Sequence, residues 1–136
     1  MKIFIDASVI LAALGSKSGG SSLVLQLKVT KKVVSQSILE EVFRNTFKVG
    51  YTREEVNKLL VMNDIDVFPA PSSEEARRFF RIVGEKDAHV IASTLSAKAE
   101  IIVTLDKKHL LSKKIKGLEI ITPGELLQKL ASGLLC

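Results

Sequence analysis

The stretch Ile3-Phe4-Ile5-Asp6-Ala7-Ser8-Val9-Ile10 decides how this chain folds. Three large apolar residues in succession are typical of a short strand that is buried on both faces of a sheet. The run stops at a carboxylate, Asp6. The pattern therefore predicts a strand that ends at residue 5 and an acid that emerges at the edge of the sheet.

Short apolar runs of the same kind recur along the chain and alternate with segments of helical spacing. The predicted strands after the first are Val33–Val34, Ile65–Phe68, Ile101–Leu105 and Leu118–Ile121. The predicted helical segments are Leu23–Leu27, Ile38–Phe47, Val56–Val61, Ala76–Ile82, Ala88–Ala99 and Leu126–Leu130. This alternation requires crossover connections, so it predicts an α/β fold: a three-layer α/β/α sandwich around a mainly parallel, five-stranded sheet.

Several helix starts and one loop can also be predicted. Three pairs have the capping-box spacing, in which a hydroxyl and a later glutamate satisfy the free N–H groups of the first turn. The pairs are Thr52 with Glu55, Ser72 with Glu75, and Thr122 with Glu125. Pro123 suits a first helical turn, and the Gly- and Ser-rich stretch Gly15–Ser22 is interpreted as a surface loop.

Length and composition limit the classes of protein that this chain can be. Its 136 residues suit a single domain over residues 1–136, and 46% hydrophobic with 26% charged residues is typical of a packed globular protein. No apolar stretch is long enough for a membrane span, and Asp6 interrupts the one region that resembles a secretory signal. We therefore expect a cytoplasmic protein with no membrane contact. A net charge of +5 favours a polyanionic partner, and the lone Cys136 excludes a thiolate metal site.

Acidic residues occupy several positions that suit a functional site. Asp6 and Asp106 each follow a predicted strand, and the carboxyl ends of parallel strands meet at one edge of the sheet. Asp87 opens a helical segment with its side chain toward the packed side. Glu40 and Glu41 flank the buried stripe of another helix, and spacing alone does not separate them, although Glu40 could simply pair with Ser37 in a capping box.

Four sequence blocks together resemble the PIN-domain family, particularly the small stand-alone VapC-like members that include toxins of toxin–antitoxin pairs. The blocks are Ile3 to Ile10, Val34 to Val42, Asp87 to Ser93, and Val103 to Asp106. The resemblance implies a PIN-like nuclease domain that hydrolyses phosphodiester bonds in RNA with Mg²⁺ or Mn²⁺ as cofactor. It also implies a homodimer and an antitoxin protein as partner. Exposed apolar residues in Leu23–Leu27 and Val56–Val61 are candidates for the dimer interface.

The resemblance also assigns site residues. It carries the family's catalytic, metal-binding acids onto Asp6, Asp87 and Asp106, and onto Glu41, which would bind directly or through water. It favours Glu41 over Glu40. The supporting hydroxyls would be Ser8 and Thr104. Clustered carboxylates need a cation, because two of them about 4 Å apart repel by about 4 kcal/mol at an effective dielectric of about 20. Mg²⁺ and Mn²⁺ prefer oxygen ligands of this kind.

The chain departs from the family pattern at two places. Ala7 and Ser8 stand where the family usually has Thr and Asn, and Lys107 and Lys108 replace an acid that often follows the fourth block. These two lysines, together with other basic residues, would instead form a rim that binds RNA. The predicted substrate-binding residues are Lys107, Lys108, Lys113 and Lys114, with Lys116, Arg44, Lys48 and Arg53 as weaker candidates. His89 and His109 are expected to have packing or surface roles.

Two other functions remain open, and a third is disfavoured. The departures at Ala7, Ser8 and Lys108 are compatible with a catalytically weak or silent nucleic-acid-binding scaffold. A housekeeping RNA-processing nuclease would have the same acids as a toxin. A phosphoryl-transfer domain with Asp6 as nucleophile is disfavoured, because Ser8 stands where such phosphatases usually carry a second Asp.

Overall fold

The computed structural model describes residues 1–106, 110–112 and 114–133, apart from the side chain of Lys86. Strands and helices alternate along these residues, as the sequence predicts. The strands are β1 (Lys2–Ile5), β2 (Lys31–Ser35), β3 (Ile65–Phe68), β4 (Ile101–Val103) and β5 (Glu119–Ile121). The helices are α1 (Ala7–Gly15), α2 (Gly20–Leu25), α3 (Gln36–Val49), α4 (Arg53–Met62), α5 (Ser73–Arg77), α6 (Phe80–Ser96) and α7 (Pro123–Ala131).

The five strands form one sheet in the order β3-β2-β1-β4-β5, and every neighbouring pair is parallel. The chain first builds the sheet outward from β1 through β2 to β3. It then returns to the other side of β1 to add β4 and β5. The strand order therefore reverses between β1 and β4, and the crevice beyond the carboxyl ends of these two strands is where open α/β sheets bind ligands.

The central strand β1 is the most deeply buried part of the sheet. Ile3, Phe4 and Ile5 have no exposed surface, because helices cover both faces. The predicted three-layer α/β/α sandwich is confirmed, with a sheet that is wholly rather than mainly parallel. All five predicted strands are present, although β4 ends at Val103, two residues before the predicted end. Among the described residues, no helix has the length and apolar character needed to cross a bilayer.

Helix α1 is the element that the sequence analysis missed. Nearly every residue from Ala7 to Leu14 is apolar, and these side chains are buried or half-buried between the sheet and neighbouring elements. A helix covered on several sides lacks the polar stripe that marks an amphipathic helix. The predicted loop Gly15–Ser22 was accordingly too long, since α1 ends at Gly15 and α2 begins at Gly20.

The segment that leads to Asp87 also differs from the prediction. The predicted helix Ala76–Ile82 is interrupted between α5 and α6, and α6 itself is broken at Gly84, whose φ of +80° lies in the left-handed region. Glycine adopts this conformation without the steric cost that a Cβ would bring. The break places Asp87 in the first turn of the helical part that follows it.

The helix starts follow the predicted chemistry with one exception. All three capping boxes are present, and Pro123 occupies the first turn of α7. In α3, however, the N-cap is Ser35, whose Oγ accepts a hydrogen bond from the backbone N–H of Ile38 at 3.3 Å. The predicted pairing of Ser37 with Glu40 in a capping box is therefore wrong, and Glu40 has no capping role.

Candidate active site at the carboxyl edge of the sheet

Asp6 connects the central strand to α1. Its backbone N–H donates to the carbonyl of Val103 at 3.0 Å, and its own carbonyl accepts from the N–H of Val9 at 3.1 Å. Asp6 is thus the N-cap residue of α1, yet within the described chain its carboxylate makes no capping hydrogen bond. The carboxylate is buried, at 6% exposure, and is held by contacts other than the helix it precedes.

Two hydroxyl groups donate to this carboxylate. Ser8 Oγ and Thr104 Oγ1 each donate to Asp6 Oδ2 at 2.8 Å. Both hydrogen bonds therefore fall on one oxygen, and neither engages Oδ1. A buried carboxylate without donors would cost several kcal/mol, so these hydroxyls offset part of the cost of burying Asp6 at the carboxyl edge of the sheet.

The same hydroxyls also hold the chain that follows β4. Thr104 Oγ1 accepts from the backbone N–H of Asp106 at 3.0 Å, and Ser8 Oγ accepts from that of Leu105 at 3.0 Å. We call Ser8 and Thr104 the hydroxyl bridge. Because the bridge joins the end of β1 to the end of β4, it fixes the backbone of Asp106 beside the carboxylate of Asp6.

The pKa of His89 depends on charges from several elements of the fold. His89 is half-buried in α6, and desolvation lowers its pKa below the ordinary 6.5. The charges of Asp87 and Asp6 act in the opposite direction, followed by Arg44, which lowers the pKa, and Glu40, which raises it. Charged groups from the end of β1, from α3 and from α6 therefore all influence the pKa of His89. Within the described chain, the buried His89 Nδ1 has no hydrogen-bond partner.

The remaining predicted site residues are only partly located. Asp87, Asp106 and Glu41 are half-buried, whereas Glu40 is exposed. The choice between Glu41 and Glu40 stays a prediction. Of the predicted substrate-binding lysines, Lys114 is exposed, and Lys107, Lys108 and Lys113 lie outside the described residues, as do His109 and Cys136.

The donor chemistry of this edge fits a hard divalent cation, because the buried Asp6 carboxylate and the half-buried Asp87 and Asp106 offer oxygen ligands. Among the described residues, no three side chains of His, Cys, Asp or Glu lie close enough together to hold one ion.

A large cavity of the described chain lies elsewhere, near the amino ends of β2 and β3. It has a volume of about 1100 Å³ and is lined by residues such as Lys31, Lys32, Tyr51 and Asp64, with none of the acids at the carboxyl edge. Cavity size therefore does not identify the candidate site. The candidate site is identified instead by its position at the strand-order reversal and by its carboxylate chemistry.

We predict that replacing Thr104 by valine destabilises the protein by about 1–3 kcal/mol. The substitution keeps the shape of a fully buried side chain, but it removes a donor to Asp6 and the acceptor of the Asp106 N–H. The loss would be measured by urea denaturation. Thr94→Val is the matched control, since the buried Thr94 hydroxyl donates to the Val90 carbonyl within α6 and touches no carboxylate. Equal losses at the two positions would contradict a special role for the hydroxyl bridge.

We also predict that His89 makes the protein less stable in mildly acidic solution. The pKa of His89 is lowered by burial, so in mildly acidic solution the unfolded chain binds more protons than the folded protein. The free energy of unfolding should thus fall between about pH 7.5 and about pH 5.5, and the fall should be smaller in His89→Gln. Denaturation in EDTA at several pH values tests this. The same pH dependence in both proteins would show that His89 titrates normally.

Comparisons with known proteins match the fold described above. The family model for the PIN domain matches residues 3–116. No curated protein matches the chain in sequence. Similar solved structures include PAE2754 from Pyrobaculum aerophilum, with a TM-score of 0.68 and 19% identity over 97% of this chain and 96% of that one.

Two further solved structures are toxins or contain one. A toxin–antitoxin complex from Klebsiella pneumoniae has a TM-score of 0.64 and 18% identity over 89% of this chain and 97% of that one. VapC20 of Mycobacterium tuberculosis, described as a sarcin–ricin loop cleaving toxin, has a TM-score of 0.59 and 13% identity over 79% and 92%. At these identities the likeness concerns the fold, whereas the family model matches most of the chain itself. The chain belongs to the PIN-domain family.

Proposed function

We propose that residues 1–136 form a metal-dependent ribonuclease that acts as the toxin of a toxin–antitoxin pair. The observation that carries the proposal is the buried carboxylate of Asp6, which the hydroxyl bridge links to the backbone of Asp106. A purely structural acid at the end of a strand would cap the following helix. The Asp6 carboxylate instead accepts hydrogen bonds from the hydroxyl bridge, in the crevice where the strand order reverses. PIN-family membership supports nuclease chemistry at this position.

In this proposal Asp6, Asp87 and Asp106 bind Mg²⁺ or Mn²⁺, and Glu41 binds directly or through water. When bound, the ion supplies an activated water and charge stabilisation for phosphodiester hydrolysis. Ser8 and Thr104 orient Asp6 by donating to Oδ2, and the carboxylate would be held in place as a ligand of the ion. Outer hydrogen bonds of this kind keep a ligand in place and fix its orientation.

The substrate in this proposal is RNA, which has to approach an acidic crevice. The net charge of +5 favours that approach, and exposed Lys114 on the segment after β4 is one cation of the predicted basic rim. Lys107, Lys108 and Lys113 would complete it. Cleavage of cellular RNA would place the protein in the cytoplasm.

The proposed partners are an antitoxin protein and a second copy of this chain. The similar Klebsiella pneumoniae structure is a toxin–antitoxin complex, which supports an antitoxin partner. For the homodimer, the segments predicted from sequence offer Leu23, 46% exposed, and Val61, 77% exposed, whereas their neighbours Val24, Leu25 and Leu60 belong to the core. A housekeeping RNA-processing role would use the same site, and an adjacent antitoxin gene would favour the toxin.

A second candidate function is a silent nucleic-acid-binding scaffold. The observation that favours it is the absence, among the described residues, of a preformed group of three metal ligands. Ala7, which cannot supply a side-chain hydrogen bond, is the related sequence departure. Ser8 does not weaken the site in the same way, since its hydroxyl reaches Asp6.

We predict that Asp6→Asn and Asp106→Asn each reduce RNA cleavage by more than about 100-fold, because losing even an outer-shell partner of a metal ligand costs 10- to 100-fold. Structured and single-stranded RNA would be incubated with Mg²⁺, Mn²⁺ or EDTA, and the products resolved on gels. Asp66→Asn is the matched control, since Asp66 is an exposed acid within β3.

The outcomes separate the two candidate functions. Metal-dependent cleavage by the wild type and by Asp66→Asn, but not by the other variants, supports the ribonuclease. RNA binding without cleavage under any metal condition supports the scaffold. Undiminished cleavage by Asp6→Asn would remove the assignment of this site.

A further inference from the structure

Phe47 is the most exposed large hydrophobic residue of the described chain, at 89% exposure. It lies in the last turn of α3, whose buried side is formed by Ile38, Leu39 and Val42. Burial of a phenylalanine side chain stabilises a protein, and here the ring leaves almost all of its surface in solvent. The position of Phe47 thus needs an explanation outside the packing of the core.

Two cations share the outer surface of α3 with this ring. Arg44 precedes Phe47 by three residues and Lys48 follows Arg44 by four, so the three side chains occupy one side of the helix. Both cations are exposed, and neither forms an ion pair with a described residue. We call Arg44, Phe47 and Lys48 the outer face of α3.

The helix that carries this face begins at the candidate active site. Ser35 is both the last residue of β2 and the N-cap of α3, so the helix starts at the carboxyl edge of the sheet. Glu41 lies between this start and the outer face, and Phe47 is about 9 Å further along the helix axis than Glu41. The charge of Arg44 also acts on His89, which is under the influence of Asp6 as well.

We propose that the outer face of α3 binds an unpaired stretch of RNA next to the cleaved bond, with a base stacked on Phe47 and the neighbouring phosphates bound by Arg44 and Lys48. The inference rests on the proposed ribonuclease function and adds the form of RNA that the site takes. An aromatic ring between cations is the arrangement that proteins use for single strands, because every base has a face to stack and every nucleotide a phosphate. In a duplex the bases are already stacked on one another and cannot reach the ring.

The charges on this face favour a polyanion over a second copy of the chain. A symmetric contact through Phe47 would bring the Arg44 and Lys48 side chains of two copies together, and like charges at an interface oppose association. RNA phosphates would instead neutralise both cations. Single-stranded RNA is therefore the occupant to which the proposal commits.

The test uses the fact that the chain contains no tryptophan. In Phe47→Trp the indole is the only one in the protein, so its fluorescence reports directly on stacking. The variant would be titrated in EDTA with an unstructured RNA oligonucleotide and with the same oligonucleotide annealed to its complement. Val29→Trp, at another exposed hydrophobic position shortly before β2, is the matched control. We expect strong quenching by the single strand at position 47, weaker quenching by the duplex, and little change at position 29.

Binding affinities complete the test. Phe47→Ala should weaken binding of the single strand about tenfold or more, with unchanged thermal stability because the ring packs against little. Arg44→Gln should lower the salt dependence of binding by about one phosphate contact. The inference would be overturned, and the proposed function left intact, by two results together. The wild type and Phe47→Ala would bind RNA equally well, and RNA would not quench the tryptophan of Phe47→Trp. Fluorescence that changes with protein concentration in the absence of RNA would also overturn the inference, in favour of self-association.

The remaining outcomes distinguish this inference from the proposed function. Quenching and Phe47-dependent binding without cleavage in Mg²⁺ or Mn²⁺ would support the inference while removing the ribonuclease activity. Absence of any RNA binding by the wild-type protein would overturn both.

Discussion

The hydrogen bond from Thr104 to the buried carboxylate of Asp6 is the interaction on which the candidate site depends. It joins residues 98 positions apart in the sequence, at the ends of two adjacent strands. Burying the carboxylate without donors would cost more than most single interactions contribute to folding. The hydroxyl bridge offsets that cost, and the bridge also holds the backbone of Leu105 and Asp106. One small hydrogen-bonded cluster therefore both retains the charge and positions its neighbour.

The sheet explains why this cluster forms where it does. Parallel strands place all their carboxyl ends at one edge, and the order β3-β2-β1-β4-β5 puts the reversal between β1 and β4. Asp6 and Thr104 emerge on the two sides of that crevice. The helices that follow β2 and precede β4 bring Glu40, Arg44 and Asp87 toward the same imidazole, His89. The sheet topology thus explains why α3, which carries the cationic outer face, begins at the acidic edge.

Much of this arrangement could be predicted from sequence because it is encoded locally. Short apolar runs mark the strands, and the Thr52, Ser72 and Thr122 capping boxes depend only on residues three positions apart. The predictions that were wrong concern features that depend on neighbouring elements of the fold. Helix α1 has no polar stripe because it is enclosed, and Ser35 rather than Ser37 caps α3 because β2 continues to residue 35. The hydroxyl bridge and the environment of His89 join distant segments, so no local pattern could reveal their geometry.

The account requires acids that repel one another to share a cation, although the described side chains do not already form a three-ligand group. A hard dication would supply the attraction that draws them together. Calorimetric titration with Mn²⁺ measures whether the acids share an ion. Saturable binding to the wild-type protein is expected, and it should be lost in Asp6→Asn and in Asp106→Asn. Absence of saturable binding to the wild type, or undiminished binding by both variants, would contradict this expectation.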